Sequence, residues 1–351
     1  MKVAIIGYAQ AGKSTIYRAA ARGLAKGEVT AVPVPDERFD AIVAQVKPKK
    51  QTPATVILHD DVEAANGSGK TFSLRFIDQA KKADILLHVV RGFENPVSPY
   101  FAEVDPLRDQ ENLDVELVLA DLQIVENRLE RLQKSPTVKQ SGSPDYLEKQ
   151  FFDRIKPLLE EGTPLRAIVD MNEDEQTVAR NYQFLSLKPM VVAFNVAESG
   201  LSGTPEMNER IEELAKKETP AFYVAAPIEE EIAQLDPADQ PEFLDSLGLK
   251  EPASNVVIKA VYDALGLITF FTAGDNDTRA WPLRKGSNAL KAAGTIHNDI
   301  AKGFIRAEIV HYSDYLVAGS LDAAYSAGKM SLEGKEYVLQ DGDLIHIRNK
   351  S

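Results

Sequence analysis

Several short blocks of this chain are almost uninterruptedly apolar, and they are spaced as strands that alternate with helices. Val3–Ile6, Ile85–Val90 (ILLHVV), Met190–Phe194 (MVVAF) and Ala221–Ala225 read as buried strands, with Thr55–Leu58 after Pro53 as a fifth. Ile16–Ala21, Glu37–Val46 (Phe39, Ile42, Val43 and Val46 on one face) and Glu206–Lys217 behind Pro205 read as helices. Val29–Asp36 carries two prolines that suit an extended edge. From Leu113 onward, Val115, Val118, Leu119, Leu122, Val125, Leu129 and Leu132 recur at spacings of three and four, predicting a long amphipathic helix. Residues 145–159 predict a second, with Leu147, Phe151, Ile155 and Leu158, and the polar loop Lys134–Pro144 makes the two an antiparallel hairpin. From about Ile268 the pattern changes to short strands, glycines and a small helix, the mark of a compact β-rich domain.

One stretch fits two periods. Phe72, Leu74 and Phe76 alternate like a strand, while Phe72, Phe76, Ile77, Ala80 and Ala83 fit a helix. Parallel strands need a crossover of about a dozen residues, and a strand ending at Asp78 would leave five before Asp84. A helix over 70–83, preceded by a turn at Asn66–Gly69, is therefore expected. The strand ending at Asp60 then lies beside the first strand.

The chemistry is concentrated where the first strand ends. Gly7 is followed by Gly12-Lys13-Ser14, which is G-x-x-x-x-G-K-S directly after a strand, a phosphate-binding loop. Its glycines let the backbone turn its N–H groups toward phosphate oxygens, Lys13 supplies charge, the Ser14 hydroxyl ligates Mg²⁺, and the following helix adds its positive end. Gln10, Ala11, Gly12, Lys13, Ser14 and Thr15 are the expected phosphate-binding set. Asp60 is the expected Mg²⁺ partner of Ser14, with Asp78 as its rival. Asn195-Val196-Ala197-Glu198, after a buried strand, stands on the same rim of the sheet; Asn195, Val196 and Glu198 are the base-binding candidates. GTP-binding loops carry N-K-x-D there, whose Asp accepts from guanine. Glu198 is one methylene longer and Val196 replaces the basic residue, so ATP is favoured over GTP.

Composition narrows the picture. The 351 residues leave room for two or three domains, and 44% apolar with 26% charged is ordinary for a globular protein. The chain has no cysteine, which excludes thiol chemistry and Cys-type zinc sites. With a strand beginning at residue 2 and no apolar run near 18 residues, a cytoplasmic protein with no membrane association is expected. The net charge of −13 argues against loose binding to nucleic acid and gives no sign of DNA specificity. The excess acid lies in residues 1–265; residues 266–351 carry ten basic and ten acidic side chains and are the cheaper part to dock on RNA. The five histidines show no metal spacing: His88 reads as a core residue, whereas His59 is placed to approach a metal or phosphate beside Asp60. Trp281 with Arg279 and Arg284 reads as a core aromatic or a base-stacking platform, and Glu229–Glu231 as a solvated helix start.

These motifs resemble the YchF subfamily of the Obg-like P-loop NTPases over almost the whole chain. The matching residues include Gly7–Thr15, Val34–Arg38, His88–Arg91 with Phe93-Glu94, Leu119–Leu122, Leu187–Pro189, Asn195–Glu198 and Glu231–Ala233. The densest block is C-terminal: Phe271–Gly274, Arg279–Trp281, Ala292–Gly294, Lys302–Glu308 and Gln340–Asp343. The resemblance implies an α/β fold in three parts: a Ras-like P-loop NTPase domain over 1–107 and 187–265, an inserted helical coiled-coil hairpin over 108–186, and a C-terminal β-grasp (TGS) domain over 266–351. It also implies association with the ribosome, through ribosomal RNA or protein, links to stress responses, and ATP in preference to GTP; a monomer is expected.

The chain departs from the family pattern at the γ-phosphate side. Only Ala19–Thr30 fills the span where a long first switch is usual, and no switch threonine is evident. Glu63 stands where D-x-x-G has its pivot glycine, Gln10 replaces an asparagine, and a histidine implicated in hydrolysis falls near Tyr100. Two functions fit: a slow ATPase acting on a ribosomal partner, and a non-hydrolysing nucleotide-sensing adaptor; a GTP-binding switch is the third.

Overall fold

The computed structural model describes residues 1–25, 27–65, 72–168, 170–236 and 238–350; the turn expected at Asn66–Gly69 and the first two residues of the expected helix 70–83 lie outside the described residues. The strands in chain order are β1 (Lys2–Ile6), β2 (Val29–Pro33), β3 (Gln51–Thr52), β4 (Thr55–His59), β5 (Ile85–Gly92), β6 (Met190–Val196), β7 (Ala221–Val224), β8 (Leu267–Thr272), β9 (Thr278–Arg284), β10 (Phe304–His311), β11 (Ser331–Glu333) and β12 (Asp343–Asn349). Helices bearing on the argument are α1 (Lys13–Ala21), α2 (Glu37–Val46), α3 (Leu74–Lys81), α4 (Pro106–Gln133), α5 (Pro144–Glu160), α6 (Glu173–Tyr182), α7 (Pro205–Lys216) and α8 (Ala226–Gln234).

Contacts divide the chain into two compact units, Met1–Thr30 with Ile57–Ala264, and Ala31–Val56 with Leu265–Ser351. The first is built on the strand series β4-β1-β5-β6-β7. β1 pairs in parallel with both β4 and β5, and β6 lies parallel between β5 and β7. Both faces of β5 and β6 are covered, which is why these strands are continuous apolar runs rather than alternating ones. The helix reading of the ambiguous stretch holds: α3 is capped by the Ser73 hydroxyl, which accepts from Phe76 N–H at 3.0 Å, and it buries Phe76 and Ala80.

The hairpin is α4 and α5. α4 starts earlier than its apolar stripe suggests, at Pro106, because Asp105 caps it by accepting from Arg108 N–H at 3.0 Å and proline suits the first helical position. Val115 and Leu119, counted on the stripe, face solvent; the buried seam runs Leu113, Leu117, Val118, Asp121, Val125, Leu132. α5 packs on it through Phe151, Phe152, Ile155 and Leu159, and Val178 of α6 with Phe184 closes the cluster. The fully buried Asp121 carboxylate ends this core by accepting from Leu185 N–H at 2.9 Å and Ser186 N–H at 2.7 Å. Glu229 also differs from its expectation of a solvated surface. It is buried and caps the helix Ala253–Ala264, accepting from Ala253 and Ser254 N–H at 2.8 and 2.9 Å.

The second unit carries a mixed sheet, β11-β10-β12-β8-β9-β3. β8 and β9 form a hairpin, β12 runs parallel to β8, and the helix Ala289–Ile296 lays Ala289, Ala292 and Ala293 on the sheet, a β-grasp arrangement. Trp281 stacks on Phe270 at 6.2 Å with its indole N–H on the Thr272 hydroxyl, so its ring belongs to this core, although Arg279 lies over it at 3.9 Å. The span 31–56, read from the sequence with the nucleotide domain, clusters here. β3 pairs with β9, Phe39 stacks on Phe271, and Arg38 donates to both Asp36 and Asp341.

His88 sits inside β5, 1% exposed, as expected of a core residue. Burial, with Arg166 and Lys13 adding repulsion, depresses its pKa to about 3. The unfolded chain therefore binds a proton between pH 6.5 and 3 that the folded chain refuses, and stability falls as pH drops through that window. Replacing His88 with Leu is expected to recover about 2 kcal/mol at pH 5 relative to pH 8. Asp121, its pKa raised to about 6 by burial, has the opposite sign in both proteins and cancels in the comparison. Urea midpoints for the two proteins at the two pH values test this; parallel pH profiles contradict it.

Candidate functional site

The site begins where β1 runs out of apolar residues. Gly7 turns the chain at φ 146°, where a Cβ would collide with the Val89 carbonyl oxygen of β5, so no larger residue fits. The loop then passes through Gln10 at φ 64° and Gly12 at φ 94°. Gly12 is the N-cap of α1, and a Cβ there would collide with the Asn195 side-chain amide. Both glycines are thus required by close approach, and α1 starts with its free N–H groups facing the loop.

Three of the expected residues converge. Lys13 lies on the loop, its ammonium donating to the Gly7 and Tyr8 carbonyls at 3.1 and 3.2 Å. Burial lowers its pKa to about 8, with Asp60 pulling the other way. The Asp60 carboxylate, directly after β4, faces the Ser14 hydroxyl and Lys13; burial raises its pKa, and Ser14 and Lys13 oppose the shift. Its Oδ1 is buried with no hydrogen-bond partner among the described residues. The rival Asp78 lies on α3, exposed, and pairs with Lys82 at 2.6 Å. His59 turns to Asp61, at 3.2 Å, instead of the loop.

The second group is divided. Asn195 is buried, its Nδ2 donating to the Ala11 carbonyl at 3.0 Å and its Oδ1 accepting from Ala226 N–H at 3.1 Å. It ties the phosphate loop to the start of α8. Val196 is also buried, its side chain in the core. Glu198 is exposed in the short turn Glu198–Gly200. Ala11 is buried, while Gln10 and Ser14 are exposed and Thr15 half-buried.

Comparison with known proteins fits this geometry. A family model named YchF-GTPase_C, described as a protein of unknown function (DUF933), matches residues 267–350. A Haemophilus influenzae protein named "Ribosome-binding ATPase YchF" is 38% identical, covering 99% of this chain and 98% of its own. A Bacillus subtilis protein of the same name is 36% identical, covering 98% of each. The chain belongs to the YchF family. Human "Obg-like ATPase 1" is 31% identical, with 99% of this chain and 92% of its own covered. A solved structure of the Schizosaccharomyces pombe YchF GTPase superposes with a TM-score of 0.87 at 27% identity, covering 99% of this chain and 97% of its own. The chain is thus a YchF-family P-loop nucleotide-binding protein with a C-terminal domain.

Within this YchF-family site, the residue that sequence reasoning quoted without assigning a role is Arg91. It is 1% exposed, and its guanidinium donates to the carbonyls of Gln10, Phe93 and Ser98 at 3.1, 3.0 and 2.9 Å, between the rings of Phe93 and Tyr100. Its signal was a lone cation closing an apolar strand. Tyr100 donates its hydroxyl to Asp109 at 2.8 Å. The departures at the γ-phosphate side are also anchored. Thr30 is buried, and its hydroxyl lies 2.9 Å from that of Tyr17, which donates its own proton to the Gly27 carbonyl at 2.8 Å, so Thr30 is the donor between the two. Glu63 is tied to α3: its N–H donates to Gln79 Oε1 at 3.0 Å and its carboxylate accepts from Ser73. Among the described residues no helix is long and apolar enough to cross a membrane, and no cluster of three His, Asp or Glu forms a metal site.

Proposed function

We propose that this YchF-family chain binds ATP with Mg²⁺ in the loop Gln10–Thr15 and turns it over slowly as a cytoplasmic, ribosome-associated ATPase. The observation that carries this reading is the meeting of Lys13, Ser14 and Asp60 at the end of β1. The residues fit a cation: the Ser14 hydroxyl faces the Asp60 carboxylate, whose Oδ1 is buried with no hydrogen-bond partner among the described residues. Ser14 would hold Mg²⁺ directly and Asp60 through water; the ion neutralises charge on the outer phosphates. Lys13 exchanges its two loop carbonyls for phosphate oxygens, a stronger charge-assisted pairing, and the N–H groups opening α1 face the same anion.

The base preference is argued from Asn195. Its carbonyl accepts from Ala226 and one N–H donates to Ala11, and its second N–H is the group it offers a purine, toward N7, which adenine and guanine share. Discrimination falls to Glu198, whose longer side chain spoils the paired acceptance of the guanine N1–H and 2-amino group. The relatives from Haemophilus influenzae and Bacillus subtilis are named ribosome-binding ATPases, and the Schizosaccharomyces pombe structure is titled a GTPase. Binding without turnover is the second reading, favoured by the Thr30 hydroxyl being engaged by Tyr17 and the Tyr100 hydroxyl by Asp109.

Titration calorimetry with ATP and GTP, with and without Mg²⁺, tests the first reading. ATP is expected to bind at least about tenfold tighter than GTP, and Asp60→Asn to abolish the Mg²⁺ dependence while leaving the fold intact. Equal affinities overturn the base assignment, and an unchanged Mg²⁺ dependence overturns the metal assignment. Single-turnover measurement with bound ATP then separates the slow ATPase from the sensor, and sedimentation with ribosomes tests the partner.

A further inference from the structure

The phosphate loop is gripped from one side by the hairpin. Tyr8, which follows Gly7, is 1% exposed and donates its hydroxyl to the Glu116 carboxylate of α4 at 3.2 Å. Burial and that carboxylate push the phenol well above the ordinary tyrosine range, so the hydroxyl keeps its proton and stays the donor. The Tyr8 ring meets Phe101 edge-on at 5.0 Å, and Phe101 lies against Tyr100 at 4.4 Å. Tyr100 in turn donates to Asp109, buried on α4. Asp109 and Glu116 are seven residues apart in α4, two turns, so one face of the helix receives both contacts.

The same loop residues take part in binding. The Lys13 ammonium rests on the Tyr8 carbonyl at 3.2 Å, and a phosphate that draws Lys13 away leaves that carbonyl to find another donor. The Tyr8 hydroxyl meanwhile stays fixed to α4. Gln10 is tied into the same set of contacts: the Ser98 hydroxyl donates to its Oε1 at 2.7 Å, and Arg91, which holds its carbonyl, lies over the Tyr100 ring at 4.9 Å. We propose that Glu116 of the hairpin helix, acting through Tyr8, is a positioning residue of the phosphate loop, and that nucleotide occupancy and the hairpin are coupled through this contact. The proposal rests on the reading of Gln10–Thr15 as the nucleotide site.

The helix is built to carry the coupling. α4 runs without interruption for 28 residues, about 42 Å, from Pro106 beside the site to Gln133 at the hairpin turn. Beyond Glu116, Val118 and Val125 pack into the core shared with α5. One helix thus touches the loop at its near end and forms the hairpin at its far end. Such coupling is reciprocal: a partner that grips the hairpin changes ATP affinity by the factor by which ATP changes that grip.

Calorimetry and amide hydrogen exchange on the full-length chain, with and without ATP and Mg²⁺, test the proposal. ATP is expected to slow exchange over residues 106–120 at least about threefold, because a loop ordered by phosphate orders the helix fixed to it. Tyr8→Phe keeps the ring on Phe101 and removes only the hydroxyl; it is expected to weaken ATP about fivefold and to abolish the added protection in α4. Glu116→Leu is expected to match it, and the two together to be no weaker than either alone, as befits two ends of one contact. Glu116→Gln keeps an acceptor for the hydroxyl and is expected to stay within about twofold of wild type. A residue that only packs would lower the urea midpoint and leave both ATP readouts unmoved. The proposal is overturned if ATP binds but exchange in α4 is unchanged, or if Tyr8→Phe keeps wild-type affinity and protection. A wild-type chain that binds no ATP fails at the calorimetric step, which removes the nucleotide reading and this proposal with it.

Discussion

Lys13→Ala is expected to weaken ATP binding at least about 100-fold, roughly 3 kcal/mol, while shifting the unfolding midpoint little. In the free protein the ammonium is buried against the Gly7 and Tyr8 carbonyls, and removing it trades two hydrogen bonds for relief from a desolvated charge. In the complex no other side chain on the loop carries positive charge, because Gln10, Ala11, Ser14 and Thr15 are neutral. The depressed pKa adds a second signature. Below about pH 8 Lys13 is charged and ready; above it, binding a triphosphate requires proton uptake, so affinity falls by about tenfold per pH unit. Calorimetry at pH 7.5 and pH 9, in two buffers of different ionisation enthalpy, reads both the affinity and the proton. Unaltered affinity in the variant, or a wild-type affinity flat across that range, contradicts the role given to Lys13.

What could be seen in advance depended on whether the deciding partner was near in sequence. β1, the glycine turn and α1 follow from adjacent residues, so the loop was legible whole. Asp60 was reached through a length argument about crossovers, and the parallel β1–β4 pairing agrees with that argument. Periodicity alone could not say which of two overlapping stripes on α4 faces inward, because Val115 and Leu119 differ from Leu117 and Val118 only in what packs against them. Glu229 looked like one of three solvated carboxylates; its burial is set by the N–H groups of Ala253 and Ser254, over twenty residues away. The grouping of residues 31–56 with the β-grasp unit is non-local in the same way. Nothing near Arg38 announces that Asp341 is its partner. Asn195 was singled out for a base contact by its position after a strand, yet its first obligation is to Ala11 and Ala226.

Arg91→Met is expected to be the most destabilising single change near the site, by about 3–5 kcal/mol, and to weaken nucleotide binding about tenfold as well. Methionine keeps much of the apolar stem between Phe93 and Tyr100 but donates nothing, so the Gln10, Phe93 and Ser98 carbonyls lose a charge-assisted donor together. Two of these carbonyls shape the chain after β5; the third belongs to Gln10, a non-glycine residue held at φ 64°. Left-handed backbone at such a residue persists only where surrounding structure enforces it, and here the guanidinium is one of the restraints. Loss of the restraint lets the loop relax away from the phosphate-binding form, so affinity falls although Arg91 is turned to carbonyls of its own chain. Arg91→Lys restores one charge but not the three-way fork, and is expected to fall between wild type and Met in both readouts. Urea midpoints without nucleotide, alongside ATP affinities, separate the two effects. A Met variant within about 1 kcal/mol of wild type would remove Arg91 as the brace of this loop. A variant destabilised as expected but unchanged in affinity would confine its role to the turn after β5.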